Sequence, residues 1–358
     1  MDICLFSKTI FYGTEYVPHR EITRKILQMR GNETSDDFDF IEYNQMIQQY
    51  QNRSFVEKQI VYKYSQDYKI PLISHRVWAT DVKKPRELVE LIGNRAKNSL
   101  QATYKYLDNS ARKQGQKWTH ILWVQDKELV PNTLKLFTKF GVTVRSVYEL
   151  EAMQDERIRK QFEFYVQDGP RAPAAASDFI RAIAIFELGG MYFDNDQTIN
   201  LWDYNINHYF DFVSTRLLTQ YSVIGLANAF FAAKQGHPIL ENYIKIMVDM
   251  FKFLDEEDER SYTQNSCNSR TVGLTLFGTG PTVFTVVAYN LFNQDGNQDG
   301  LIYEDWESNQ LANIDVIDEN GQEKSLTIKV RSFDMMSNSW TKGFQDNQLF
   351  GLPELYSF

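Results

Sequence analysis

The sequence predicts an α/β fold built around a largely parallel sheet, on three observations. Between residues 71 and 147, short apolar runs alternate with amphipathic stretches of helical period, which is the rhythm of βαβ units. Between Ala174 and Asp196 an apolar helix pattern meets a Gly-Gly pair, a short aromatic strand and an Asp-x-Asp step. The chain is also long and apolar enough to bury a large core, with 358 residues, 43% hydrophobic and 14% aromatic, which excludes disorder for most of it.

Residues 1–70 are poor in Gly and Pro. From residue 38 to 68, Ile41, Met46, Tyr50, Phe55, Ile60 and Tyr64 can share a helical stripe, so this region reads as a helical accessory region. Its role is target docking or bracing of the sheet. Pro71 fixes φ and disfavours helix in Ile70, so a second unit spans residues 71–358. Strands are predicted over residues 71–78 (PLISHRVW), 118–124 (WTHILWV) and 142–147 (VTVRSV), with helices around 86–107 and 130–140. A parallel sheet of this kind takes its ligands at the carboxyl ends of its strands.

The second informative segment is residues 174–196 (AAASDFIRAIAIFELGGMYFDND). Ser177 is suited to N-cap a helix whose buried stripe is Phe179, Ile180, Ile183 and Phe186. Gly189 can adopt the left-handed stop conformation, Gly190 lets the backbone turn, and Met191, Tyr192 and Phe193 form a strand. Alternate residues of an extended segment face the same way, so Asp194 and Asp196 can aim two hard oxygen donors at one Mn²⁺ or Mg²⁺. Asp178 and Arg181 share a helix face. They read either as a buried acid–base pair or as an acid and an arginine fork that accept and orient sugar hydroxyls.

Several classes drop out on charge and motif. A net charge of −9 argues against a sequence-independent nucleic-acid binder, which needs surplus cations. Cys4 and Cys267 make neither a disulfide scaffold nor a zinc site. No Gly-x-Gly-x-x-Gly turn follows the first strand, so a dinucleotide-dependent oxidoreductase does not fit. The start lacks a basic n-region, and no apolar run approaches a membrane span of ~18 residues, so a soluble chain is expected. Asp295, Asn297, Asp299, Gly300 and Ile302 match a calcium loop, but Trp306 stands where the last carboxylate belongs, so a dangling polar surface loop is the simpler reading. His75 reads as a satisfied core histidine and His237, before Pro238, as turn chemistry. The acidic run 255–259 reads as a solvated helix end or loop.

The helix, Gly-Gly, strand and Asp-x-Asp in this order resemble the Asp-x-Asp glycosyltransferases. These include the glucosylating large clostridial toxins and the yeast-type sugar transferases with the same sugar-binding motif. Residues 73–78 (ISHRVW), 228–238 (NAFFAAKQGHP), 278–281 (GTGP) and 338–340 (NSW) resemble flanking motifs of that family and fall in its order, so the resemblance spans roughly residues 71–345. It implies a GT-A-type, Rossmann-like fold with a mixed, mostly parallel sheet and an N-terminal helical extension. It further implies that Trp78 stacks on uracil, that Asp178 and Arg181 hold the donor sugar with Tyr192 close by, and that Asp194 meets the ribose or sugar and the metal's water shell. By the same resemblance Asp196 ligates the metal directly, Trp340 hydrogen-bonds the leaving phosphate and Asn338 offers an oxygen to the metal. Where the toxins carry a glutamate, this chain has Met335 with Asp334 beside it.

The implied reaction is metal-dependent, retaining transfer from a UDP-sugar to a hydroxyl. If Asn228 is the donor-site asparagine, its small neighbours Ala227 and Ala229 leave room for an N-acetyl group and favour UDP-GlcNAc, with UDP-glucose next. The resemblance also implies a bacterial, toxin- or effector-type protein in a host cytosol, with a protein acceptor of the small-GTPase kind. A polysaccharide or glycolipid acceptor, and a silent UDP-sugar-binding module, are the alternatives.

Overall fold

The computed structural model describes residues 60–168, 173–218, 224–257, 279–304 and 310–334. Its spine is an 11-stranded mixed sheet, with ten strands in the order β4-β3-β2-β5-β8-β7-β9-β10-β11-β6 and β1 paired to β10. The first half realises the predicted alternation. β2 (Ile73–Trp78), α1 (Leu88–Leu91), α2 (Asn94–Arg112), β3 (Thr119–Val124), α3 (Pro131–Lys139) and β4 (Thr143–Ser146) follow one another in the chain. Strands β2, β3 and β4 pair in parallel.

The next segment carries the chain over the sheet and back through its centre. After α4 (Glu156–Glu163) and a π-helical turn (Phe164–Asp168) comes α5 (Pro173–Leu188), then β5 (Gly190–Phe193), which pairs in parallel with β2. Helix α5 begins four residues before the expected Ser177 cap. Proline is favoured in a first helical turn and the alanines at 174–176 are strong helix formers, so the helix starts at the proline. The stop is as expected: Gly189 has φ +65° and Gly190 φ +108°. A Cβ at Gly190 would lie 2.3 Å from the Ile73 carbonyl oxygen, so only glycine lets β5 enter this close to β2.

The second half is mostly antiparallel. β6 (Gln197–Leu201), α6 (Asn205–Tyr209), β7 (Phe212–Leu218), β8 (Ile224–Ala233) and α7 (Pro238–Glu257) lead to α8 (Pro281–Leu291). Three strands then close the sheet: β9 (Asp299–Glu304), β10 (Gln310–Ile317) and β11 (Glu323–Asp334). β5 pairs antiparallel with β8, and β11 with β6. Alternate side chains fill two cores. Ile121, Trp123 and Tyr192 lie on the face covered by α5, α7 and α8, and Leu122, Met191 and Phe193 lie on the other.

Residues 60–70 depart from the helical expectation. Val61–Lys63 forms β1, parallel to β10, and Tyr62 donates a 2.7 Å hydrogen bond to the Asp299 carbonyl. The local alternation VYKY fits a strand with one buried face as well as it fits a helix, and pairing with β10 decides between them. These residues belong with the sheet. Residues 1–59 lie outside the described residues.

The Asn293–Gly300 segment does not dangle either. Asp299 accepts from the Asn293 N–H (2.9 Å) and meets His237 Nε2 at 2.9 Å, while Lys234 donates to Asn297 Oδ1 (2.6 Å). Two of the side chains the calcium template would use, Asn297 and Asp299, are thus engaged within the protein. His237 plays the expected turn role, its Nδ1 accepting from the Ile239 N–H at the start of α7. The acidic run 255–259 ends α7 at Glu257, and the rest of it lies outside the described residues.

His75 is a satisfied core histidine, as predicted. Its Nδ1 accepts from Trp123 Nε1–H (3.0 Å), which leaves the proton on Nε2 to donate to the Gly189 carbonyl (2.9 Å). Burial pushes this imidazole down to about 4. Because the folded value lies below the unfolded one, the contribution of neutral His75 is present above pH ~6.5 and is lost as pH falls through about 4. Urea unfolding at pH 7 and pH 5 is expected to show that the change in stability between the two pH values differs by roughly 2 kcal/mol between His75→Gln and wild type, the wild type losing more on acidification. Equal losses in both proteins would contradict this assignment.

Candidate functional site

At the carboxyl end of β5 the chain makes a turn, Asp194 to Gln197, closed by a 3.0 Å bond from the Gln197 N–H to the Asp194 carbonyl. Above it on α5 sit Asp178 and Arg181, both buried. The Arg181 guanidinium is the hub. Its Nη2 lies 3.2 Å from Asp178 Oδ1 and 3.1 Å from Asp194 Oδ1, and its Nη1 donates to the Asn228 carbonyl (2.8 Å). Its planar face lies 4.3 Å from the centre of the Tyr192 ring. Ser177, expected as a cap, instead takes a 3.2 Å bond from Arg181 Nη2 inside the helix.

The acid beside it is equally enclosed. Asp178 Oδ1 accepts from Asn228 Nδ2–H and Oδ2 from Thr279 Oγ1–H, each at 2.9 Å. Burial pushes Asp178 up to about 6, against the pull of Arg181 and these two donors. Asp194 is more open, its side chain 31% exposed, and takes a hydrogen bond from the Tyr192 hydroxyl. Burial, helped by the charge of Asp196, holds it above the usual carboxylate range while Arg181 opposes the shift. The structure therefore brings together Asp178, Arg181, Tyr192, Asp194 and Asn228, with Asp196 in the adjoining turn.

Trp78 ends β2 half-buried and donates its Nε1–H to the Arg86 carbonyl (2.9 Å). Trp340 and Asn338 lie outside the described residues. The sequence reading missed Arg76, a buried cation on β2 that reaches the carbonyls of Asp194 and Gln197. The signal available was a charged residue inside an otherwise apolar strand. It also missed Thr279, which the GTGP match contained but which received no role.

These residues fit a hard divalent cation. Two carboxylates, Asp178 and Asp194, face Arg181, and the charge of Asp196 in the adjoining turn adds to the burial that raises Asp194. Among the described residues no group of three or more His, Cys, Asp or Glu side chains is placed to enclose a metal by itself. Asp194 and Asp196 would hold it with positions left for phosphate oxygens and water. β11 ends at Asp334, opposite Gln197, one residue along from Asp196.

No family model matches the chain, and no curated protein matches it. Among solved structures it is similar to the PaToxG glycosyltransferase, at 14% identity and a TM-score of 0.45, covering 76% of this chain and 80% of that one. It is also similar to the UDP-bound glycosyltransferase domain of the YGT toxin, at 13% identity and a TM-score of 0.44, covering 66% and 80% respectively. A third is the catalytic domain of alpha-toxin from Clostridium novyi, at 10% identity and a TM-score of 0.39, covering 82% and 90%. The second and third are domains of proteins named as toxins. At these identities and TM-scores no residue role, ligand or reaction passes from them to this chain. No helix among the described residues is long and apolar enough to cross a membrane.

The hub predicts an order of costs. Arg181→Met strips the cation from two carboxylates at once, so it is expected to cost about 3–5 kcal/mol of unfolding free energy. Asp178→Asn leaves Arg181 paired with Asp194 and is expected to cost less. Denaturant unfolding at pH 7 measures both, and equal costs would remove Arg181 from its central place.

Proposed function

We propose that this chain is a metal-dependent retaining glycosyltransferase that moves a sugar from a UDP-sugar to a hydroxyl of a protein acceptor. One observation carries the reading: at the carboxyl end of a central strand, Asp178, Arg181 and Asn228 form a single hydrogen-bonded network with Asp194, and the Asp194–Gln197 turn adds Asp196. A hexose offers hydroxyls, and Asp178 and Arg181 are the acceptor and donor that would fix them. Trp78, half-buried at the end of the neighbouring strand, would stack on the uracil.

When bound, a divalent cation supplies electrostatic stabilisation of the negative charge that builds on the diphosphate. Asp194 and Asp196 are the residues that would hold it, with Mn²⁺ or Mg²⁺ the hard-ligand choices. The anomeric C–O bond breaks with its electron pair leaving on UDP. The acceptor oxygen bonds to the same face of the sugar, and its proton passes to the departing phosphate. By the resemblance, Asn338 and Trp340 would add the metal and phosphate contacts.

The lean towards UDP-GlcNAc over UDP-glucose rests on Ala227 and Ala229 beside Asn228. Widening either side chain should close the space for an N-acetyl group. For Ala229→Leu, UDP-GlcNAc is expected to lose about tenfold or more in kcat/KM relative to UDP-glucose, the range for methylene-scale discrimination. As acceptor we favour a small GTPase of a host cell, reached by a secreted bacterial protein.

Donor hydrolysis tests the reading directly. Purified protein with Mn²⁺ is incubated with UDP-GlcNAc, UDP-glucose and other sugar nucleotides, and released UDP is measured. Release from one donor that disappears in Asp194→Ala/Asp196→Ala is the expected result. A mass shift of one hexose or N-acetylhexosamine on a lysate protein would then identify the acceptor. Metal-dependent UDP binding with no turnover in the presence of lysate would instead mean a binding module.

A further inference from the structure

The Asp194–Gln197 turn is gripped from both faces of the sheet by two different arginines. Arg181 comes from the α5 face and takes the Asp194 side chain. Arg76 comes from the opposite face, where its guanidinium rests 3.9 Å from the centre of the Phe193 ring. From there Arg76 Nη1 donates to the Asp194 carbonyl and Nη2 to the Gln197 carbonyl (2.8 Å). These are the two ends of the turn. Strand β2 adds a third tie, because Asn195 Nδ2–H donates to the Val77 carbonyl (2.7 Å).

Arg76 is costly where it is. It is 1% exposed, and removing a guanidinium from water costs several kcal/mol before its new contacts are counted. An apolar residue would satisfy the β2 core without that cost. What an apolar residue cannot do is span two carbonyls three residues apart, and neither can the single ammonium of lysine hold both in the planar fork of an arginine.

We propose that Arg76 is a positioning residue that, with Asn195, locks the Asp194–Gln197 turn onto β2 and so fixes the spacing of the Asp194 and Asp196 carboxylates. This rests on reading that turn as a divalent-cation site. It acts through the backbone of the turn and touches neither donor sugar nor cation. Because β2 also ends in Trp78, the same lock sets the distance between the proposed nucleobase platform and the cation.

Mn²⁺ titration of the full chain with UDP present, followed by water-proton relaxation, tests this in Arg76→Lys, Asn195→Ala, Asp194→Ala/Asp196→Ala and wild type. UDP titration in EDTA and a thermal melt accompany each. For Arg76→Lys the Mn²⁺ concentration at half-saturation is expected to rise at least about tenfold, as for other residues that orient ligands, while UDP affinity in EDTA is unchanged. Unchanged Mn²⁺ affinity in Arg76→Lys, with binding lost in the double variant, would overturn the role of Arg76 and leave the cation site standing. A wild type that does not bind Mn²⁺, or a double variant that still does, would overturn both. Should Arg76→Lys not melt cooperatively, Asn195→Ala decides: a rise of similar size supports the lock, and no rise overturns it.

Discussion

The buried guanidinium of Arg181 is the interaction on which the rest of the site depends. It lies between a carboxylate of its own helix and one at the end of the next strand, at 3.2 and 3.1 Å. Holding it there requires α5 and β5 to meet at one fixed offset. The Gly189-Gly190 corner sets that offset, because a side chain at Gly190 would collide with the Ile73 backbone. His75 secures the same corner through its bond to the Gly189 carbonyl. A strand, a helix stop and a salt bridge are therefore one mechanical unit. Loosening the corner would move Asp178 and Arg181 relative to Asp194, and the network would lose its geometry before the core lost its packing.

The charges of this unit are deliberately unbalanced on the strand side. Asp178, Asp194 and Asp196 outnumber Arg181, and Arg76 offsets the surplus from the far face through the backbone. Burial raises Asp178 and Asp194 and lowers His75, so these groups respond to acid in opposite senses. The stabilisation that a raised Asp178 gains on protonation is fully present below the ordinary carboxylate value and lost as pH rises through about 6. The stabilisation from neutral His75 runs the other way across the same interval. The two therefore oppose each other between pH 4 and 6.

What the sequence made legible was whatever depends on local pattern. The β2–α–β3–α–β4 alternation, the apolar stripe of α5 and the glycine stop need only periodicity and backbone sterics, and all appear at the expected places. The start of α5 was misplaced because a good capping residue, Ser177, competed with the stronger effect of Pro173 followed by alanines. β1 was misread because three residues of alternating pattern carry almost no information without their partner β10, which lies about 250 residues away in the chain. Arg76 and Thr279 were overlooked for a related reason. Each contributes to the site through a contact across the sheet or from a distant loop, and such contacts leave no spacing rule in the sequence. Asp178 and Arg181 stood out through their helix spacing and Asp194 through its place at a strand end, whereas Asn228 entered only through the resemblance.

The position of the site also follows from topology. β5 has a parallel neighbour on one side, β2, and an antiparallel neighbour on the other, β8. This is where the sheet changes from parallel to antiparallel pairing. The chain leaving β5 cannot pair back onto β5, since both edges of that strand are taken. It turns at Asp194–Gln197 and pairs instead with β11, far along the strand order. The turn thus carries the chain from the central sheet to its distant edge. A segment under that constraint would be mobile if left to itself, and two arginines and an asparagine tie it down from both faces. Half-buried carboxylates, buried anchors and a change in strand pairing meet at this turn, and the proposed cation site rests on that combination.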